Sequence, residues 1–91
     1  MSTAREQSLI ESARRWATAL DEWKACRPPR RRNLIAAYQQ RQHDRRDVLA
    51  LEAAGIVESF DTLAPGERSR VADAIGYILW LAGDMHGRAQ A

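Results

Sequence analysis

Apolar residues recur at helical spacing along nearly the whole chain, and no stretch alternates with the two-residue period of a half-buried strand. The clearest run is Leu9, Ala13, Trp16, Leu20 and Trp23, at intervals of 4, 3, 4 and 3. Those intervals draw one stripe down one side of a helix. Thr3 and Glu6 stand ahead of it as a T-x-x-E capping box, in which each side chain can satisfy a free amide of the first turn. On the outer face Glu11 precedes Arg15 by four, the favourable order for a charge pair. Pro28-Pro29 stops the run, because proline lacks an amide donor and disfavours helix in the residue before it. The first helix is therefore expected over 3–26.

The middle of the chain reads less simply. A helix can restart at Pro29 or Arg30, since proline is tolerated in a first turn, with Leu34, Ile35 and Tyr38 marking its buried side. Gln39 to Asp47 is wholly polar, and Val48, Leu49, Leu51, Ala53, Ile56, Val57 and Phe60 then form another apolar set. A straight helix would put Tyr38, Arg45, Leu49 and Ile56 on one line, with Arg45 interrupting the stripe. Burying an unpaired guanidinium is costly. A break near Gln42–Asp44 with Asp44 as N-cap avoids that cost, and predicts helices over 30–42 and 44–59. The alternative is one continuous helix whose middle projects from the core or meets a partner. Gly55 either weakens the later helix or ends it early.

Pro65 suits the first position of a last helix, and Glu67 complements the dipole of its first turn. Val71, Ile75, Ile78, Ala82 and Met85 form one stripe there, and Ala72, Gly76, Leu79 and Gly83 an adjacent one. Two stripes predict a central helix over 65–86, with grooves at the small residues for Trp16 and Trp23 to fill. The expected fold is all-α, a compact bundle of three or four helices forming a single domain over 1–91.

Size and composition narrow the picture. With 91 residues there is room for one domain, and 45% hydrophobic with 29% charged residues is a globular mixture rather than a disordered one. The longest apolar stretch, 74–83, is far below the roughly 18 residues of a membrane span. Cys26 stands alone, so no intramolecular disulfide can form, and the opening residues lack an apolar signal core. A soluble, cytoplasmic protein with no membrane association is expected.

Charge changes the picture most. The formal net charge is +2, but residues 24–46 hold eight basic side chains against Asp44 alone. Six basic and eleven acidic residues make up the rest, so about one quarter of the chain is a basic island on an acidic body. All but Lys24 of the basic residues are Arg, which forms planar bidentate pairs with carboxylate and phosphate. Arg27, Arg30, Arg31, Arg32, Arg41, Arg45 and Arg46 are the candidate binding patch for an acidic protein or nucleoprotein surface, or for nucleic acid. Tyr38 could add stacking, and Gln39, Gln40 and Gln42 base-edge contacts. No helix-turn-helix, zinc-finger or aromatic RNA-binding pattern accompanies them. Tyr77 and Trp80 share a face of the last helix with Asp73 and Asp84, a second candidate contact for a partner or a homodimer.

Catalytic chemistry is not legible. There is no nucleophile–base pairing, no pair of carboxylates in contrasting environments and no glycine-rich phosphate loop. His43 with Asp47, Asp84 with His86 and Cys26 lack metal-ligand spacing, so no metal or cofactor is expected. These readings point to a small non-enzymatic regulatory or inhibitory protein that docks through its basic junction. Direct DNA or RNA binding is the alternative, and a small all-α enzyme a lesser one.

Overall fold

A computed structural model describes residues 2–90, with side chains through 88; Met1 and Ala91, the ends of the expected domain, lie outside it. The described residues are all-helical: α1 (Ala4–Ala25), a 3-10 turn (Arg32–Leu34), α2 (Ile35–Asp61) and α3 (Pro65–Gln90). Each helix packs against the other two. The molecule measures 53 × 25 × 17 Å, and its radius of gyration of 15.6 Å exceeds the ~12 Å of a compact domain of this length. The bundle is therefore elongated rather than compact.

The elongation follows from α2, which runs unbroken through the expected break at Gln42–Asp44. Asp44 is no N-cap; it accepts a hydrogen bond from Gln40 Nε2 (3.0 Å) one turn earlier within the same helix. The seam passes through Ile35, Gln42, Leu49 and Ile56, each seven residues from the last, and leaves Arg45 exposed. The polar stretch thus contributes one seam residue, Gln42, and no guanidinium is buried.

Tryptophans on α1 hold that seam. Trp16 Nε1 donates to the Leu49 carbonyl (2.9 Å) and Trp23 Nε1 to the Gln42 carbonyl (3.0 Å). Gln42 Nε2 returns a bond to the Trp23 carbonyl (3.2 Å). Trp16 to Trp23 and Leu49 to Gln42 are both seven-residue steps, so the antiparallel helices stay in one register over two turns. The expected insertion of these tryptophans between small residues of α3 does not occur. Ala72, Gly76 and Gly83 are exposed, and nothing lies within 4 Å of a Cβ built on either glycine. Of the two expected α3 stripes, Val71, Ile75 and Ala82 are buried, with Ile78 and Met85 packed beside them. The second stripe stays exposed apart from half-buried Leu79. Ile75 has non-helical dihedrals (φ −136°, ψ 30°) and kinks α3. Leu34, Val48 and Leu51, assigned to apolar sets in the sequence, are exposed.

The opposite end is closed by polar contacts. Thr3 Oγ1 accepts the Glu6 amide (3.2 Å), which is half of the expected capping box, and donates to Glu67 Oε2 (2.7 Å). The Glu6 side chain also reaches across to α3. It is fully buried and accepts Arg70 Nη2 at 2.6 Å and Nε at 3.0 Å. Arg5 Nη2 donates to the Thr62 carbonyl (3.3 Å), tying α1 to the α2–α3 turn.

A basic helix junction as the candidate functional site

The extended segment after α1 begins at Cys26 (φ −66°, ψ 128°), and Pro28-Pro29 prevents any return to helix until the 3-10 turn. Tyr38 Oη donates to the Cys26 carbonyl (2.9 Å) and fastens this segment to the first turn of α2. Together with the Trp23–Gln42 pair it makes the junction a fixed platform.

Arg27, Arg30, Arg31, Arg32, Arg41, Arg45 and Arg46 are all exposed. Among the described residues the ion pairs are Arg70–Glu6 and Arg88–Asp84, so none of the seven has a carboxylate partner. Neither the 3-10 turn nor α2 has a side-chain cap at its start. The start of α1 is capped by Thr3, and before α3 the Ala64 amide donates to Glu67 Oε1 (3.1 Å). Both uncapped starts, of the 3-10 turn and of α2, sit among the arginines, and the positive end of the α2 dipole adds to their field.

The continuous helix decides which of these residues meet. Successive residues are about 100° apart around a helix, so Arg41 and Arg45 share a face while Arg46 turns away from it. Arg46 lines a groove of about 690 Å³ with Trp23, Tyr38, Gln39, Gln42 and His43. The expected aromatic contacts divide as well. Tyr38 lies in this groove, half-buried and with its hydroxyl already engaged. Tyr77 and Trp80 lie on the outer face of α3, stacked on each other with ring centroids 6.2 Å apart, and line neither this groove nor the one between α1 and α2.

Three features escaped sequence reasoning. Gln42 is a seam residue, for which the seven-residue interval Ile35–Gln42–Leu49–Ile56 was the available signal. The Glu6–Arg70 pair joins positions 64 apart and has no local signature. The third is the α1–α2 groove, with Ser8, Ser12, Gly55 and Ser59 among its walls, which exists only once the two helices pack.

Cys26 is exposed, and the described residues hold no group of three or more His, Cys, Asp or Glu side chains placed to share a metal ion. No described helix is long and apolar enough to cross a membrane. The chain matches no protein-family model, and neither the curated proteins nor the solved structures include one significantly similar to it.

Proposed function

We propose that this chain is a small non-enzymatic regulatory or inhibitory protein that docks on an acidic macromolecular surface through its basic junction. The observation that carries the reading is the set of seven exposed arginines without carboxylate partners among the described residues, held on a platform stapled by Trp23, Gln42 and Tyr38. Arg70, by contrast, spends its guanidinium on a buried carboxylate inside the fold. Unpaired guanidinium groups concentrated at one end leave bidentate donors free for carboxylates of another molecule.

Direct binding of DNA or RNA by the same arginines is the second reading, favoured by the groove in which Arg46 lies beside Trp23, Gln39 and His43. The two readings separate on salt. Fluorescence anisotropy of generic duplex DNA and single-stranded RNA at about 50 and 200 mM salt would show a loss of roughly a hundredfold or more if several phosphates are neutralised. The favoured reading expects no such nucleic-acid binding. It expects a protein retained from nuclease-treated cell extract, lost with a variant carrying Arg30→Ala, Arg31→Ala and Arg32→Ala, and bound again when purified. Retention that disappears on nuclease treatment, with steep salt-dependent binding of the nucleic-acid probes, would replace the first reading by the second.

A further inference from the structure

A second pair of surfaces, independent of the basic junction, offers a groove and a ridge on one molecule. The first is a groove of about 950 Å³ between α1 and α2, walled by small side chains that include Ala4, Ser8 and Ser12 of α1 and Gly55 and Ser59 of α2. Trp16 and Ile56 form part of its apolar floor. Arg5 and Arg15 line it ten residues apart on α1, or about 15 Å along the axis. Through Nη2, Arg5 donates to the Thr62 carbonyl and hydroxyl and Arg15 to the Ser12 hydroxyl, and a guanidinium keeps further donors beyond that.

The second surface is the outer face of α3. Tyr77 and Trp80 stand there 72% and 65% exposed, stacked into a ridge by their 6.2 Å contact. Asp73 and Asp84 flank the ridge, eleven residues apart and both exposed, with the Ile75 kink between Asp73 and Tyr77. Asp84 meets Arg88 at 3.4 Å, an exposed pair weak enough to be exchanged for another. The ridge thus carries two acids and the groove two arginines.

We propose that the α1–α2 groove receives the Asp73–Tyr77–Trp80–Asp84 face of a second copy of this chain. The charges also exclude the simpler arrangement, in which two α3 faces pack on each other. Antiparallel pairing that sets Tyr77 against Trp80 also sets Asp73 against Asp84, and parallel pairing sets each aspartate against itself. Both juxtapose like charges, whereas the groove offers two arginines, Arg5 and Arg15, against a single carboxylate, Glu52. The ridge and the groove are different surfaces of one molecule, so each copy can use both, and the contact is head-to-tail. Two aromatic side chains bury about 300–500 Å², less than the roughly 800 Å² per partner of a stable interface, so association is reversible and depends on concentration.

Sedimentation velocity over a range of protein concentrations tests this. The weight-average mass is expected to rise with concentration beyond two copies, and less steeply at high salt, where the Arg–Asp pairs are screened. Trp80→Glu removes the ridge and Gly55→Glu fills the groove. Each is expected to move association to concentrations about thirtyfold higher or more, as for an interface hot spot. Both positions are exposed, and no atom lies within 4 Å of a Cβ at Gly55, so circular dichroism should show unchanged helicity.

Mixing the two variants gives the sharper result. Trp80→Glu keeps an intact groove and Gly55→Glu an intact ridge, so an equimolar mixture should form a one-to-one complex that grows no further. The triple Ala variant of Arg30, Arg31 and Arg32 should associate like the wild type, which keeps this contact distinct from the basic junction. A wild type that stays monomeric at every concentration overturns the proposal. So does a dimer that Gly55→Glu leaves intact, or a mixture of the variants that does not combine.

Discussion

The two ends of this bundle use the same residue type in opposite ways. At the end where α1 begins, Arg70 meets Glu6 at 2.6 Å and Arg5 holds the α2–α3 turn, so arginine closes the structure. At the other end seven arginines are exposed without carboxylate partners among the described residues, and the fold is closed instead by neutral donors on Trp23, Tyr38 and Gln42. The difference teaches that an arginine's role is set by whether the packed helices bring a carboxylate to it. Burial of Glu6 makes its pairing obligatory, because one ionised oxygen away from water must be matched by a donor. Its other oxygen, Oε2, is buried and finds no hydrogen-bond partner among the described residues. That makes the Arg70 contact the chief compensation for the buried charge.

The largest expected effect breaks both ends at once. Trp16 is 2% exposed and lies in the seam between them, so Trp16→Ala should cost about 3–5 kcal/mol in urea unfolding. For a domain of this size that is a large share of its total stability. An intact transition midpoint would show that the Trp16–Leu49 contact does not join the two ends.

Acid should separate the ends next. The hydrogen bond from Arg70, offset in part by desolvation, holds the Glu6 carboxyl below the ordinary glutamate value of 4.5. The Thr3 hydroxyl and then the Ala64 amide do the same for Glu67. A carboxyl with a lowered folded-state pKa contributes stability that is complete above its unfolded value and lost as pH falls through the folded one. Thermal melts should therefore be flat from neutral pH down to about 5 and fall below the ordinary value of 4.5. Arg70→Ala should lower the melting temperature at neutral pH and flatten the acid limb. Arg31→Ala, with the same chemistry at the other end, should stay within about 0.5 kcal/mol of wild type and keep the acid limb unchanged. Equal losses from the two substitutions would abolish the contrast between the ends.

The smallest effect sharpens the contrast from the basic side. Trp23→Phe keeps an aromatic ring but removes the donor to the Gln42 carbonyl, and should cost about 1 kcal/mol. Amide exchange should quicken around residues 38–46 and leave the Glu6–Arg70 end protected. Uniform loss of protection would mean that the ends do not open separately.

Much of the helical framework was legible before packing was known. The 4-3-4-3 run from Leu9 to Trp23, the cap at Thr3, the stop at Pro28-Pro29 and the start at Pro65 are local signals. Both helices start within a residue of them, α1 ends three residues before Pro28, and α3 runs to Gln90, four residues past its expected end. The arginine island was equally legible, because charge along a chain is a matter of counting. The continuity of α2 was not. The sequence alignment of Tyr38 with Leu49 made Arg45 the obstacle, and only the tryptophans of α1 show that Gln42 is the seam residue.

What the sequence by itself determined is the all-helical class, the position of the first and last helices, and the concentration of positive charge between them. Each follows from propensity, capping and periodicity within a few turns. The tertiary structure alone decided that α2 runs straight through its polar middle, that Glu6 meets Arg70, and that the tryptophans face α2 rather than the small residues of α3. Those choices depend on which buried polar group finds a partner across helices. Residues 33 or 64 apart have no common local signature, and only packing brings their donors and acceptors within reach.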